Sequence, residues 1–513
     1  MTPPILDSGL THPHNDHCPQ ISFKDGSHDV VDSNCQEVLI IAVDLGITST
    51  KVAYARVSRG DSGEEVNTSE VKCIGNYPGD QEGRYHVPTE LLYDDKSKPE
   101  STSPSAAKQY WGYEVEAELN NTKARQDETE LPARLKTNLT SEKDADDDRG
   151  KLRSKLEALR DQGVTVGNTD ICKHYLTHLL DHTKTQLVHS KELEKHVPIK
   201  FVLCVPDVWP VTARQVMQAA LGEAVKDVGF SERAEDDFCD LDRVSESEAA
   251  AAWVFAWPNM ETLYPGETVV VLDAGGGTVK AATYVCLESD PVLLERVIEP
   301  CSRSCGASRI DEECQETLTK KLMGATYSFD DGRSLASIVK TSMTKSRYNK
   351  QNFRVQKKKD ASYGFAIPNL VQNIKKGFYT NVLALKQKDM EKIFEPSLVG
   401  AAEVLQNQLE LAKNKNRPVH MVLLVGAFSE SPALRKHIRD ILEHQDRKIG
   451  LVTPSDPSYA VVKGAVLHVA SKAAESPNPH KRKRDETGVT KSSAESKRRS
   501  TRSSRYLGGY QTG

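Results

Sequence analysis

Two short stretches of this chain contain residue types that suit a bound phosphate and a cation. In VDLGITSTKVA and LDAGGGTVKAA, an acid follows an apolar run, a Gly/Thr turn comes next, and a lysine ends the pattern. Asp44 precedes Lys51 by seven positions, and Asp273 precedes Lys280 by seven. Backbone N–H groups in such turns can bind phosphate oxygens, and carboxylates hold Mg²⁺, often through water. The pattern predicts a polyphosphate and metal site shared by two hairpins; the alternative is a pair of ordinary glycine turns with capping acids.

The elements around these stretches predict an α/β fold. Each turn joins a strand to a strand, and no GxxxxGK[ST] pattern lies near it, so neither is a P-loop. Elsewhere, apolar strand-like runs alternate with helical spacing, as at Ile171, Tyr175 and Leu179. Ser431 is placed to cap a helix that begins at Pro432. The two similar stretches lie 229 residues apart (Asp44 to Asp273), which favours a duplicated domain over a short repeat.

Composition separates an acidic body from a basic tail. The net charge is −5, but the tail from Glu475 has ten Lys/Arg and four Asp/Glu, a charge of +6, which leaves −11 on the rest. The basic clusters at 481–484 and 497–499 predict nuclear import by an import receptor. One alternative is a solvated tail. The other, contact with nucleic acid, is less favoured because no aromatic residues are interleaved with the basic clusters. Residues 1–36 and 475–513 are polar and are expected to be disordered.

Neither a membrane-spanning segment nor a secretory signal is visible in this sequence. There is no run of about 18 apolar residues, so we expect no membrane span. The first residues lack the basic start and apolar run of a secretory signal. The ten cysteines include no CxxC pair and are expected to be reduced thiols. Together these features predict a cytoplasmic or nuclear protein.

The two stretches resemble the phosphate motifs of the superfamily that contains actin, sugar kinases and heat-shock chaperone ATPases. Five further segments resemble motifs of divergent heat-shock-chaperone-like (DnaK-type) proteins, in the same order along the chain: VLCVPDVWPVTARQ, SESEAAAAW, SCGASRID, LVGAFSESPAL and PSDPSYAVVKGAV. The resemblance implies a duplicated, actin-like (ribonuclease H-like) fold with a nucleotide cleft. It implies lobe I at 37–265, lobe II at 266–455 and a closing helix at 456–474 that returns to lobe I. The family's peptide-binding domain is not expected, because only the polar tail follows.

The resemblance also assigns roles to individual residues around bound ATP or ADP. Asp44 and Asp273 would order Mg²⁺ through water, and Glu246 would lie near the metal and the attacking water. Lys136 resembles the lysine that positions this water, although a solvated lysine is an equal alternative. The remaining implied contacts are the first phosphate turn (Gly46, Ile47, Thr48, Ser49), the second (Gly275, Gly276, Gly277, Thr278), the adenosine contacts (Gly426, Ala427) and a residue facing the nucleotide (Ser458).

Three residues depart from the family pattern. Ile47 stands where a threonine is common, Ala427 replaces a glycine, and Lys280 replaces an aspartate that helps to hold the metal. At about 4 Å and an effective dielectric constant of 20, a lysine would be repelled by Mg²⁺ by roughly 8 kcal/mol. We therefore expect Lys280 to turn toward a phosphate or toward solvent, and its presence puts hydrolysis in question.

Three functions remain open at this point. The first is a chaperone-type ATPase that is slow or stimulated by a partner, with clients or co-chaperones as partners. The second is a nucleotide-sensing scaffold that does not hydrolyse ATP. The third is a small-molecule kinase of the same superfamily, for which no sugar-binding signature is present.

Overall fold

The protein has a mixed α/β architecture, as the sequence predicts. The computed structural model describes residues 21–23, 37–58, 70–94, 108–121, 130–131, 168–194, 197–230, 240–258, 260–289, 292–328, 332–355 and 361–475. The strands, in chain order, are β1 (Ile21–Phe23), β2 (Glu37–Leu45), β3 (Ser49–Ser58), β4 (Lys72–Cys73), β5 (Val87–Pro88), β6 (Leu91–Asp94), β7 (Lys108–Trp111), β8 (Glu130–Leu131), β9 (Ile199–Val205), β10 (Asp240–Ser245), β11 (Thr268–Ala274), β12 (Val279–Ser289), β13 (Val292–Arg303), β14 (Ser362–Ala366), β15 (Phe378–Tyr379), β16 (Val382–Lys386), β17 (Val419–Val425) and β18 (Gly450–Val452).

Helices connect these strands. They are α1 (Tyr113–Asn121), α2 (Asn168–His189), α3 (Val211–Asp227), α4 (Glu246–Phe255), α5 (Ala307–Leu322), α6 (Leu335–Lys345), α7 (Arg347–Gln351), α8 (Gln387–Asn414), α9 (Pro432–Glu443) and α10 (Ala460–Glu475). Ser431 caps α9 by accepting a hydrogen bond from the N–H of Leu434, with Pro432 in the first turn. None of the described helices combines the length and the apolar character that crossing a membrane would require.

Two larger sheets share one arrangement of strands. The first has the order β10–β9–β2–β3–β4, with β5 also paired to β3, and the second has the order β1–β13–β12–β11–β17–β18. In the first sheet, β2 pairs antiparallel with β3 and parallel with β9, which is parallel to β10. In the second, β11 pairs antiparallel with β12 and parallel with β17, which is parallel to β18. Each sheet therefore has a hairpin at its centre with parallel strands added on the same side.

The central strands β2 and β11 are continuous apolar runs, because both faces of each strand are buried. Every residue of β11 is buried, and so is β2 from Val38 to Leu45. Continuous apolar runs of this kind are typical of strands covered on both sides. Two smaller three-stranded sheets, β14–β16–β15 and β7–β6–β8, lie outside these larger sheets.

One apolar cluster joins both larger sheets through helices α4 and α10. It contains Ile40 of β2, Val271 of β11, the alanines of α4 and Val462 of α10. The two helices come close because their contact is made by small residues. A Cβ atom on Gly464 of α10 would lie 1.8 Å from the carbonyl oxygen of Ala249. This core fixes the position of the residue that begins α4, Glu246.

The N-terminal segment differs from the expectation in one place. Residues 21–23, within the segment 1–36 that we expected to be disordered, form strand β1, which pairs in parallel with β13 from Ile21 to Phe23. An unpaired sheet edge can accept any extended segment through backbone hydrogen bonds, and this needs no particular side-chain pattern. The expectation is therefore wrong for these three residues. The basic clusters of the tail lie outside the described residues.

Candidate functional site

The first turn closes hairpin β2–β3 and is held by a threonine from a neighbouring strand end. The N–H of Gly46 donates to the carbonyl oxygen of Ser49 at 3.1 Å. Thr89 holds the turn from the side, since its Oγ1 donates to the carbonyl of Gly46 at 3.0 Å and its N–H donates to that of Thr48 at 3.2 Å. A Cβ atom on Gly46 would lie 2.3 Å from the carbonyl oxygen of Ser49, so this position requires glycine.

The second turn closes hairpin β11–β12 in the same way and is held by the start of helix α5. The N–H of Gly275 donates to the carbonyl of Thr278 at 2.9 Å. The N–H groups of Ala307 and Ser308, at the start of α5, donate to the carbonyls of Gly275 at 3.2 Å and Gly276 at 2.7 Å. The turn's carbonyl groups therefore point toward the helix.

The two turns contact each other. A Cβ atom on Gly276 would lie 1.9 Å from Oγ1 of Thr48, and one on Gly277 would lie 2.7 Å from Cδ1 of Ile47. The glycines of the second turn are thus required by the approach of the first turn. In the part of the chain that the structure describes, the N–H groups of these four residues donate to no backbone or side-chain acceptor. Unpaired N–H groups of adjacent residues are the donors of an anion-binding nest.

Each hairpin also places a lysine directly opposite its aspartate. Asp44 is the register partner of Lys51, and Asp273 is the partner of Lys280. The Nζ atom of Lys51 lies 3.6 Å from Oδ2 of Asp44. The Nζ atom of Lys280 lies 3.4 Å from Oδ2 of Asp273 and also forms a short ion pair with Glu246.

This charged cluster is largely shielded from solvent. Glu246 is 2% exposed and Asp273 is 8% exposed. Burial by itself disfavours the charged ammonium of Lys280, but the carboxylates of Glu246 and Asp273 outweigh it and raise the lysine's pKa. Burial also raises the pKa of Asp273; Lys280 opposes this, while Glu246 and Asp44 add to it. Lys280 is therefore the stably charged member of the cluster.

The position of Lys280 corrects the expectation from the sequence. It was expected to turn toward a phosphate or toward solvent, and instead it is paired with two carboxylates. The reason is that Glu246 begins a helix within the shared core, where its charge has little access to water. A buried carboxylate needs a cation or donors nearby, and Lys280 is within reach.

The charged cluster differs from the magnesium site that the sequence predicts. The side chains of Asp44, Glu246 and Asp273 carry carboxylates suited to Mg²⁺, but two lysines already pair with them. A divalent cation about 4 Å from a partly buried ammonium would be repelled by roughly 8 kcal/mol at an effective dielectric constant of 20. Among the described residues, no group of three or more His, Cys, Asp or Glu side chains is arranged to hold a metal ion. This arrangement does not fit Mg²⁺ at Asp273.

The residues expected to contact adenosine lie beside the second hairpin. Gly426 has a φ of +87°, and a Cβ atom there would lie 2.4 Å from both the carbonyl oxygen of Ala274 and Oδ1 of Asp273. Ala427 follows it, is exposed, and begins a 3₁₀ turn. The hydroxyl of Ser458, the residue expected to face the nucleotide, donates to the carboxylate of Glu430. Gly426 and the segment of Ser458 are adjacent, because the N–H of Gly426 donates to the carbonyl of Pro457 at 2.9 Å.

Two residues of this site, Thr89 and Lys51, were not predicted as site residues from the sequence. Thr89, which holds the first turn, lies in no recognisable motif. Lys51 was noted as part of the repeat but not as a site residue, and the equal spacing of the two Asp-to-Lys pairs was the signal that could have identified it. Lys136 lies outside the described residues.

Comparisons with known proteins do not place this chain in a family. No protein-family model matches the sequence. No curated protein matches it either.

Proposed function

We propose that this protein is a divergent chaperone-type member of the actin-like ATPase superfamily that binds ATP between its two hairpins and uses binding rather than hydrolysis as its output. In this proposal the two sheets are the cores of two lobes, and closure of the lobes around the nucleotide is the response. The observation that carries it is the meeting of two matching glycine turns, with free N–H groups at the point of contact.

The shared strand order of the two sheets supports the duplicated actin-like fold. Both turns occupy the same place in their sheets, at the end of the hairpin strand that has a parallel neighbour. Gly426, at the end of that neighbour in the second sheet, adjoins Asp273. A ligand that contacted both turns and Gly426 would be elongated and would carry an anionic end at the turns, as a nucleotide does.

The pairing of Lys280 argues against efficient hydrolysis. A carboxylate near the attacking water can act as a base or can position the water molecule. In either role the carboxylate must be accessible to that water. The carboxylate of Glu246 is 2% exposed and is paired with Lys280. This pairing occupies one of its oxygens.

A partner-stimulated ATPase is the second candidate, and one observation favours it. Three carboxylates lie near the turns, those of Asp44, Glu246 and Asp273, and each is paired with a lysine. A partner that drew Lys280 away would release two carboxylates at once.

Nucleotide binding and turnover measured on the same protein would test the proposal. ATP binding would be followed by titration calorimetry, and hydrolysis by single-turnover assays with protein in excess over ATP and with Mg²⁺ present. The variants are Lys280→Asp and Asp44→Asn. Lys436→Asp is the matched control, since it makes the same charge change at an exposed lysine that pairs with Asp440 on α9.

We expect the wild-type protein and Lys436→Asp to bind ATP without turnover, and turnover to appear in Lys280→Asp. Turnover in the wild-type protein that Asp44→Asn abolishes would replace the binding function with the ATPase. A wild-type protein that binds no ATP would overturn both candidates.

A further inference from the structure

We infer that Lys51 and Lys280 take the place of a metal ion in this cleft, so that the protein binds its nucleotide as a metal-free polyphosphate. This rests on the proposed function, because it names the form of the ligand that the same site would take. It follows from the misfit between the charged cluster and Mg²⁺.

The first step is the equivalent placement of the two lysines. Each follows its turn by two residues, after Ser49 and after Thr278, and each lies directly opposite the aspartate that precedes the turn. The two hairpins also interact electrostatically, because Asp44 raises and Lys51 lowers the pKa of Asp273. Each hairpin therefore places one ammonium group two residues beyond its turn.

The second step concerns charge. Asp44, Glu246 and Asp273 would place three negative charges beside a bound phosphate chain. The two lysines together supply two positive charges, which equals the charge of one magnesium ion. The ammonium group of a lysine is a compact point charge that binds phosphate well. Unlike a magnesium ion, it is part of the protein and does not have to be taken up from solution.

The third step concerns access. The side chains of Lys51 and Lys280 are 11% and 16% exposed, so both retain some contact with solvent while paired. The distances from Lys51 to Asp44 and from Lys280 to Asp273, 3.6 Å and 3.4 Å, are longer than the 2.7–2.9 Å of a strong charged hydrogen bond. An ammonium group has three N–H donors, so Lys280, which pairs with Glu246 and Asp273, and Lys51, which pairs with Asp44, can each add a phosphate oxygen. The backbone N–H groups of Thr48 and Gly276 complete the donor set.

Binding of ATP by the wild-type protein with and without divalent metal tests the inference without any substitution. Titration calorimetry would be run once with excess MgCl₂ and once with excess EDTA. We expect the two dissociation constants to agree within about threefold. A loss of affinity greater than about tenfold in EDTA would overturn the inference while leaving the proposed function intact. Absence of binding under both conditions would overturn both.

Two variants identify the groups involved. Lys280→Asp restores a carboxylate, and its ATP affinity is expected to fall by more than about tenfold in EDTA relative to MgCl₂. Lys51→Met is expected to weaken metal-free binding by about tenfold or more, whereas Lys436→Met, at an exposed position on α9, should leave it unchanged. Equal binding by Lys51→Met and the wild-type protein in EDTA would contradict the role given to the lysines. If a cleft variant fails to fold, the wild-type comparison still decides the inference.

Discussion

Lys280 and Glu246 form an ion pair that joins the second hairpin to the first turn of helix α4. The two residues are 34 positions apart and belong to different sheet systems, since Glu246 follows β10 of the first sheet and Lys280 lies in β12 of the second. The pair therefore connects the two halves of the proposed cleft through a buried carboxylate. It also decides the electrostatics of the site, because it neutralises the carboxylate that is best shielded from water.

Glu246→Gln should destabilise the folded protein by about 3 kcal/mol, because it removes the closest carboxylate from a largely buried ammonium and leaves Asp273 as its ion-pair partner. The measurement is the free energy of unfolding from equilibrium denaturation in urea. Glu403→Gln is the matched control, since Glu403 pairs with Arg303 but both side chains are about half exposed, at 47% and 54%. Surface pairs contribute little, so the control should change stability by less than about 1 kcal/mol. Equal effects of the two substitutions would show that the Lys280 pair is not stabilising.

Gly276→Ala should separate the two turns and destabilise the protein by about 1–3 kcal/mol, because its Cβ atom would overlap Oγ1 of Thr48. Thr48→Ala removes that oxygen, so the double variant should recover part of the loss, with a coupling energy of about 1 kcal/mol. Unfolding free energies of the two single variants and the double variant give this coupling directly.

Gly222→Ala serves as the control for this comparison. Gly222 lies in helix α3 with no atom within 4 Å of an added Cβ, so alanine should stabilise the protein by up to about 1 kcal/mol. Strictly additive effects of Gly276→Ala and Thr48→Ala would mean that the two turns are not in contact in solution.

The protein should lose stability in mild acid through His86, which lies beside strand β5. Burial, together with the positive charges of Lys51, Arg84 and Arg347, lowers the pKa of His86 to about 4. In the unfolded chain the pKa is near 6.5, so between about pH 6.5 and 4 the unfolded state binds a proton that the folded state does not. The stabilising contribution is therefore complete above about pH 6.5 and falls as the pH decreases through this window.

Replacement of His86 isolates this effect from that of other groups. His174, His178 and His182 on α2 also have lowered pKa values, caused by burial, and contribute with the same sign. The unfolding free energy of His86→Gln should therefore fall less steeply with decreasing pH than that of the wild-type protein, whereas His444→Gln, at an exposed position, should follow the wild-type slope. Parallel curves for the wild-type protein and His86→Gln would contradict the prediction.

Much of the local structure could be predicted because its causes are local. An apolar run, a short glycine turn and a second apolar run favour a hairpin, and both hairpins form as expected. Ser431 and Pro432 begin α9 because a hydroxyl that accepts an N–H and a ring that fixes φ act within one helical turn. The equal spacing of the two Asp-to-Lys pairs agrees with the register of both hairpins, in which Asp44 lies opposite Lys51 and Asp273 lies opposite Lys280.

The sequence by itself determined the α/β class, the two hairpins and the residues that form their turns. Only the tertiary structure decided that Thr48 lies against Gly276 and that Lys280 pairs with Glu246. The physical reason is that a lysine has four rotatable side-chain bonds, so its direction depends on which charges the rest of the fold buries near it. Those charges come from Asp273 on the same hairpin and from Glu246 on a helix whose place is set by the core shared with α10.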